Sequence, residues 1–432
     1  MKKLILIALA CSFTTVLQAS DKDGETRTAS VKVSVSSSDL INIQAKYTEL
    51  TVESWDKNEV EIEATVRFDG KITDKVQKFL DEFDQHVKDN IIKSSTELKI
   101  DTRLDEPNKI QIGSRNVGII LSYGDDELKI SYKIKAPGNN KYVIANSYED
   151  MRLIGTFDQV ELSQYSGELE AGTIRKANMN LKYGSATIQS IGTAKMEIYE
   201  QKLNVGTIDE LTINTKYSDL DLKSCGNLEF VSYESDIQIG TAEQLSGDLK
   251  YGEIEITNEL SEAEMTLYEV DIEAKEIGKI RLENSKYCSF DIDKVGNILF
   301  DQSYEDETEL GLVHTFKSLN SKYGNHKIGR LAGSLDLAAY EDEIEIEEIG
   351  ASATSINIDG KYIDSIIDTD DRSFVLLTDI KYGKVEYDES GVDIKRYIKA
   401  DDRLEVEAHS KIKTTTPVKI TVKGYEVDVR LN

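Results

Sequence analysis

The chain has 432 residues, a formal net charge of −28 and 31% charged residues. Such an acidic surface repels nucleic acid and anionic membrane headgroups, so nucleic-acid binding is excluded and divalent cations or basic partners are favoured. Proline is absent between Pro137 and Pro417 while apolar residues recur regularly. This composition argues against disorder and favours a long sheet that is hydrogen-bonded on both sides.

The first 19 residues have the features of a secretory signal peptide. Lys2 and Lys3 precede an apolar run, and Leu17-Gln18-Ala19 fits a small-residue cleavage site. A buried first helix and lipidation at Cys11 are the alternatives. No later stretch reaches the roughly 20 apolar residues of a membrane span. We therefore expect an exported protein without a transmembrane segment.

Residues 20–137 are predicted to form an N-terminal β region that carries one helix. Runs such as 60–66 alternate apolar and polar residues, which is typical of half-buried strands. Lys46-Tyr47 carries the motif of the later repeats, so the first repeat can begin there. Over 73–91 the apolar residues take helical spacing instead, and the helix is expected to cover an end or side of the repeats.

A tyrosine motif recurs through residues 138–395. It alternates between a Lys-Tyr form, as in Lys250-Tyr251, and a Tyr-Glu form, as in Tyr233-Glu234, with a mean spacing of about 18 residues per tyrosine. The tyrosines are Tyr148, Tyr165, Tyr183, Tyr199, Tyr217, Tyr233, Tyr251, Tyr268, Tyr287, Tyr304, Tyr323, Tyr340, Tyr362 and Tyr382.

Each unit contains two short alternating runs and, in most units, a glycine at a fixed phase. The alternation predicts strands, and the glycine predicts a turn with unusual backbone angles. Two short strands cannot fold alone but can stack on their neighbours. We therefore predict an all-β fold: a single-chain parallel β-helix (β-solenoid) of about 18 residues per coil over 138–395, with a C-terminal β cap over 396–432. A long antiparallel meander is the alternative.

The tyrosines have two possible roles. They can form a corner stack in which rings pack on rings, or a ribbon of exposed aromatics that binds sugar rings or a partner. The parity of the flanking apolar residues differs between the two motif forms, so the sequence does not decide which way the rings point. The candidate binding residues are Tyr183, Tyr217, Tyr251, Tyr287 and Tyr323.

Three features together resemble the head-GIN and related adhesin-like β-helix family of Gram-negative bacteria. They are the stretch from Leu50 to Ile62 around Trp55-Asp56, the segment Tyr132-Lys133-Ile134-Lys135-Ala136-Pro137, and the run of Tyr-Gly-like coils. The resemblance implies an exported β-solenoid in the periplasm, outer membrane or cell surface, and it offers no catalytic residue. The 73–91 helix departs from the pattern.

Signals for catalysis or metal binding are sparse. His86, His314, His326 and His409 share no ligand spacing and are predicted to be surface or turn residues, with His326 the best candidate among them. The acidic runs 341–348 and 368–371 are predicted to be solvated faces. Weak Ca²⁺ binding is the alternative for such clusters, and Asp21 to Glu25 resembles part of a calcium loop.

Two cysteines follow the signal peptide. Cys225 lies eight residues after its tyrosine and Cys288 directly after its own. This difference of phase predicts two separate, buried thiols.

These observations support three functional hypotheses. The first is a non-enzymatic adhesin-like or scaffold protein of the cell envelope that binds a polysaccharide or an envelope protein along its repeated face. The second is a carbohydrate-active enzyme that uses a carboxylate pair in a groove. The third is a structural or signalling envelope protein without a polymer ligand. No cofactor is expected.

Overall fold

The computed structural model describes residues 25–70, 72–103, 109–112, 115–120, 127–369, 372–413 and 416–432. Within these ranges the fold is all-β with a single α-helix, which confirms the predicted class. The chain divides into two compact units, the first ending at Leu211 and the second beginning at Thr212. The predicted signal peptide, and the Asp21 end of the calcium-like segment, lie outside the described residues.

The first unit combines the N-terminal β region with the first repeats. Its elements are β1 (Glu25–Ser34), β2 (Leu40–Gln44), β3 (Glu49–Trp55), β4 (Glu59–Asp69), α1 (Asp74–Asp89), β5 (Ile91–Lys93), β6 (Glu97–Asp101), β7 (Lys109–Ile112), β8 (Arg115–Ile120), β9 (Glu127–Pro137), β10 (Lys141–Ser147) and the long extended run β11 (Met151–Lys216), which ends just past the boundary.

Parallel pairing begins in this unit at β2 and β3. β10 pairs in parallel with β2 on one side and with β11 on the other, where Lys141 faces Gln159. β3 likewise pairs in parallel with β9 and β11. Near Tyr47 the parallel pairing therefore includes β2 and β3, and β6 joins it by pairing in parallel with β2. β4 instead forms antiparallel pairs with β1 and β9.

The helix α1 lies where the apolar residues change from alternating to helical spacing, which confirms the predicted helix. Thr73 caps its first turn by accepting a hydrogen bond from the Val76 N–H at 3.3 Å. The apolar face is buried, with Phe79 and Phe83 almost inaccessible to solvent. α1 packs against β1 and β4, which pair with each other in antiparallel fashion.

The second unit contains the remaining repeats. Its elements are β12 (Asp219–Tyr233), β13 (Asp236–Lys286), β14 (Ser289–Phe300), β15 (Ser303–Tyr304), β16 (Glu307–Lys322), β17 (Asn325–Tyr340), β18 (Glu343–Ile346), β19 (Ser355–Ile367), β20 (Phe374–Lys381), β21 (Lys384–Glu386), a 3₁₀ turn (Glu389–Gly391), β22 (Val392–Ala400), β23 (Arg403–Ser410) and β24 (Val418–Leu431).

Successive repeats in this unit pair in parallel and in register. Asp219 of β12 faces Asp236 of β13, an offset of 17 residues, and Asp271 of β13 faces Ser289 of β14, an offset of 18. Because the offset equals the repeat length, each side chain lies beside its counterpart in the next repeat. Inward positions carry Ile, Leu, Val and Phe, and these are almost completely buried.

The C-terminal strands pair with both parallel and antiparallel partners. β24 pairs in parallel with β19 through Ile356 and Ile420, and with β20 through Leu376 and Ile420. The last strand thus lies between two earlier ones instead of following them. Its alternating buried valines and isoleucines allow it to join the stack on both edges. β20, β23 and β22 continue the sheet by antiparallel pairing.

The recurrent glycines serve a different purpose from the one predicted. Left-handed backbone angles fall mainly on tyrosine and glutamate, whereas glycines such as Gly240 and Gly278 do not adopt them. A Cβ on Gly240 would lie 2.2 Å from the Lys223 carbonyl oxygen of the preceding repeat, and one on Gly278 would lie 2.5 Å from that of Ser261. These glycines permit close approach of neighbouring backbones. Gly155, with φ of 99°, does adopt a left-handed conformation.

We predict that Gly240→Ala destabilises the protein by about 1–3 kcal/mol, because the added methyl group must displace a backbone carbonyl. Thermal unfolding followed by circular dichroism measures the effect. Gly391→Ala is the matched control, since its Cβ would find its nearest neighbour at 3.4 Å. Equal melting temperatures for the two variants would contradict the close-approach explanation.

Candidate binding surface: the tyrosine ladder

In the second unit the repeat tyrosines form one uninterrupted series of ring contacts, which we call the tyrosine ladder. Neighbouring centroids lie 5.4–5.8 Å apart, and the ring planes meet edge to face. The contacts run in the order Tyr217, Tyr233, Tyr251, Tyr268, Tyr287, Tyr304, Tyr323, Tyr340, Tyr362, Tyr425 and Tyr382.

The first unit contains a shorter series of the same kind. Tyr148, Tyr165, Tyr183 and Tyr199 follow one another edge to face at 5.0–5.4 Å. Tyr47 and Tyr148 differ, because their rings stack face to face at 4.9 Å with an interplanar angle of 14°.

The two motif forms occupy the same two columns of the sheet. Tyr233 faces Lys250, and Lys286 faces Tyr304. The first residue of each motif, which is lysine in the Lys-Tyr form and tyrosine in the Tyr-Glu form, therefore lies in one column, which we call the pre-turn column. The second residue of each motif lies in the next column, the turn column, where Tyr251 alternates with residues such as Glu234 and Glu269. This arrangement accounts for the change of parity in the sequence.

Every turn-column residue of the ladder adopts a left-handed backbone. φ is 61° at Tyr251, 57° at Tyr287 and 51° at Glu269. This conformation is rare for bulky residues and costs about 1–3 kcal/mol at each position. Edge-to-face ring pairs contribute about 0.5–1.5 kcal/mol each, so the two contacts made by Tyr251 or Tyr287 are comparable with the cost at that one residue.

The exposure of the rings is compatible with both roles considered from the sequence, namely ring packing and ligand binding. Tyr217, Tyr287 and Tyr323 keep 43–44% of their surface exposed, although Tyr287 and Tyr323 each contact two neighbouring rings and Tyr217 contacts Tyr233. The pre-turn tyrosines, such as Tyr233 and Tyr304, are half-buried. The ladder is therefore both a packing element and an exposed aromatic row.

Charged neighbours flank the rings on both sides. A hydrogen bond to Glu234 raises the pKa of Tyr233, and Glu269 does the same for Tyr268. At the far end Lys381 lies over the ring of Tyr382, 5.4 Å from its centroid. Because lysine and glutamate alternate along the ladder, its border carries mixed charge.

The candidates named from the sequence fall on this surface. Tyr217, Tyr251, Tyr287 and Tyr323 occupy the turn column of the second unit, and Tyr183 occupies the same position in the first. Tyr425 was missed, although it joins Tyr362 to Tyr382 at 5.8 and 5.4 Å. Its signal was present, since Tyr425-Glu426 is a Tyr-Glu pair and Glu426 has φ of 51°.

An open depression of about 380 Å³ near the C-terminus gathers carboxylates with cations. Lys384 contacts Asp428 at 3.3 Å, and Arg430 contacts Glu386 at 3.2 Å. The hydrogen bond from Arg430 lowers the pKa of Glu386. A general acid for glycoside cleavage needs a raised pKa instead, so this surface has the electrostatics of an ion-pair network.

No group of three or more potential metal ligands occurs among the described residues. In the acidic run 341–348 the glutamates are exposed as predicted, but Asp342 is buried and accepts a hydrogen bond from the Gly324 N–H at 3.0 Å. The prediction of a solvated face is wrong at this position, because the strand alternation turns Asp342 inward. Asp370 and Asp371 lie outside the described residues.

His326 also differs from its prediction, since it is fully buried. Its ring lies 3.1 Å from the Thr308 hydroxyl, 3.3 Å from the Ser321 hydroxyl and 3.4 Å from Asp342. The histidine replaces an apolar residue at an inward position of β17. A single sequence offered no signal for this small polar cluster inside the core.

Asp306 lies in the same part of the core, where it accepts hydrogen bonds from Ser303 and the Cys288 N–H. Burial raises its pKa. The folded state thus favours the protonated form, so this contribution to stability is present at low pH and is lost as pH rises above about 4, the ordinary value for aspartate.

We predict that Asp306→Asn removes this loss, since asparagine keeps an acceptor oxygen and cannot ionise. The melting temperature of the variant minus that of the wild type is expected to increase as the pH rises from about 4 towards 7. Asp248→Asn, at an exposed site, is the control for deleting one charge. A difference that stays constant or falls with rising pH would refute the assignment.

Both described cysteines are free and buried, as predicted. Burial raises the pKa of the Cys288 thiol to about 11, and the thiol lies 3.2 Å from the Lys286 carbonyl oxygen. At pH 8 roughly one thiol in a thousand would be ionised, and the thiolate is the reactive form.

We therefore predict that Cys288 is inert towards Ellman's reagent in the native protein and reacts fully in guanidinium chloride. A chain that starts at Ser20 and carries Cys225→Ser isolates the Cys288 signal. Stoichiometric labelling of the native variant would contradict the buried placement.

The described residues contain no helix that is long and apolar enough to cross a membrane.

Comparison with known proteins gives little further information. No protein-family model and no curated protein matches the chain. A solved structure of a protein from Clostridium sporogenes ATCC 15579, proposed to act in cell adhesion, aligns over 94% of this chain and 100% of its own, with 5% identity and a TM-score of 0.16. A proposed lipid-binding protein from Parabacteroides distasonis ATCC 8503 aligns over 78% and 97%, with 14% identity and a TM-score of 0.24. These values are too low to support a functional argument, and the adhesin-like resemblance stays a prediction.

Proposed function

We propose that the chain is a non-enzymatic adhesin-like or scaffold protein of the Gram-negative cell envelope, exported by residues 1–19, that binds a polymer or protein partner along the tyrosine ladder. The proposal includes the architecture: the repeats wind as a single-chain parallel β-helix. Parallel pairing at offsets of 17 and 18 residues supports this winding over an antiparallel meander.

The observation that carries the proposal is the combination of packing and exposure in the ladder. Rings buried for stability alone need no accessible face, yet Tyr217, Tyr287 and Tyr323 expose more than two fifths of their surface. Ring contacts on both sides hold Tyr287 and Tyr323 in place. A row of aromatic side chains fixed in this way binds an elongated partner with little further loss of side-chain entropy.

The carbohydrate-active enzyme is the alternative. The carboxylates around Glu386 are ion-paired, and the lowered pKa of Glu386 does not suit a general acid.

Sedimentation with insoluble polymers tests the proposal. The chain from Ser20 is incubated with peptidoglycan sacculi, outer-membrane fragments and a panel of insoluble polysaccharides, and the protein left in the supernatant is measured. We expect retention by at least one polymer without release of reducing ends. The triple variant Tyr251→Asn, Tyr287→Asn, Tyr323→Asn should lose most of the retention; asparagine is chosen because it tolerates a positive φ.

The matched control is the double variant Val231→Ser, Leu319→Ser, which removes exposed apolar side chains outside the ladder. It should be retained like the wild type. Circular dichroism and melting temperatures confirm that the variants are folded. Retention of the triple variant at the wild-type level, or the absence of retention by any polymer, would overturn the proposal.

A further inference from the structure

The alternation of the two motif forms sets the distance between the turn-column tyrosines, and a ligand that lies along the ladder must match that distance. Parallel strands lie about 4.8 Å apart, so the tyrosines of the turn column, which occur in every second repeat, recur at about 9.6 Å. Tyr251, Tyr287 and Tyr323 share one backbone conformation, with φ between 57° and 61°. They occupy equivalent positions in the sheet, where Tyr287 and Tyr323 each keep 43% of their surface exposed and Tyr251 is half-buried.

The pre-turn tyrosines contribute differently. Tyr268 and Tyr304 are half-buried between rings of the turn column, at centroid distances of 5.5–5.7 Å. Their planes are nearly perpendicular to those of their neighbours, at 77–83°. A ligand that lies along the ladder thus meets one prominent ring in every two repeats.

This spacing is close to the length of one disaccharide in an extended β-1,4-linked glycan. In such a chain successive sugars alternate in orientation, so the same pyranose face returns once per disaccharide. The axial C–H groups of that face stack on aromatic rings. One disaccharide for every two repeats would therefore place an equivalent sugar face on each turn-column tyrosine.

The charge of the protein further restricts the class of glycan that the ladder can bind. The chain carries a net charge of −28, which disfavours polyanionic polysaccharides. Along the ladder itself, exposed lysines such as Lys250 and Lys322 alternate with exposed glutamates such as Glu269 and Glu305. A border of mixed charge suits an uncharged chain that offers hydroxyl or amide groups to both signs.

We infer that the tyrosine ladder of the second unit binds a neutral, extended β-1,4-linked glycan, with one disaccharide per two repeats on Tyr217, Tyr251, Tyr287, Tyr323 and Tyr362. The inference rests on the proposed function and specifies its ligand. It also gives a reason for the sequence repeat of about 36 residues, because the alternation that spaces the exposed rings matches the ligand.

Isothermal titration calorimetry with defined oligosaccharides tests the inference on the chain from Ser20. Cellohexaose and chitohexaose provide the β-1,4 linkage with two different sugars, and laminarihexaose provides a β-1,3 control. We expect both β-1,4 hexamers to bind more tightly than laminarihexaose. Among β-1,4 oligomers, affinity should rise more from tetramer to pentamer than from pentamer to hexamer, since sugars 1, 3 and 5 of a pentamer already offer the same face to three turn-column tyrosines.

Two matched triple variants, one in each column, test which column of tyrosines binds the glycan. Replacing Tyr251, Tyr287 and Tyr323 by asparagine should weaken hexamer binding by roughly tenfold or more, given what single aromatic contacts contribute. Replacing Tyr268, Tyr304 and Tyr340 by asparagine removes as many ring contacts but should change affinity much less. Melting temperatures show whether both variants remain folded. The single variants Tyr287→Asn and Tyr304→Asn repeat the comparison if a triple variant does not fold.

Equal losses in the two columns, or equal affinity for laminarihexaose, would refute the inference. So would the absence of binding to every β-1,4 oligomer. If insoluble polymers still retain the protein through the ladder in that case, the proposed function stands and only the ligand class is wrong. Retention by peptidoglycan sacculi together with chitohexaose binding would identify a cell-wall glycan as the source, whereas a preference for cellohexaose would indicate an external polysaccharide.

Discussion

Parallel, in-register pairing between neighbouring repeats is the constraint on which the rest of the structure depends. It places each side chain about 4.8 Å from its counterpart in the next repeat, so that every position must tolerate its own neighbours. Apolar columns satisfy this condition by packing, and glycine columns by allowing backbone contact, as at Gly240. Charged columns are harder to accommodate, since like charges that face each other are destabilising.

Some charged columns pair opposite charges, whereas others bring like charges together. Lys279 reaches Glu262 of the preceding repeat at 2.6 Å, and Arg281 reaches Glu264 at 2.7 Å, so opposite charges alternate there. Elsewhere Asp219 faces Asp236. Partial burial, together with Asp236 and further acidic neighbours, raises the pKa of Glu253. At such positions like charges oppose the stacking that backbone hydrogen bonds and the core maintain.

Much of this organisation could be predicted from the sequence. Period-two alternation identified the strands, the change of period identified α1, and the differing phases of Cys225 and Cys288 identified two separate thiols. The glycines were misassigned because spacing reveals a constraint without revealing whether it acts on φ or on contact distance. Asp342 and His326 point inward because of the register in which the repeats pair. Counting motifs along the sequence does not give that register. The partners of β24 could not be predicted, because they lie 64 and 44 residues away in sequence.

The contact between Tyr47 and Tyr148 shows what the alternation of motif forms prevents. Both residues occupy the turn position, and their rings lie face to face, unlike the edge-to-face pairs of the ladder. Loss of the single repeat containing Tyr233-Glu234 would bring Tyr217 and Tyr251 into the same relation. An array of this kind therefore preserves its ring geometry only when repeats are gained or lost in twos, and gene duplication within it would be expected to copy about 36 residues at a time.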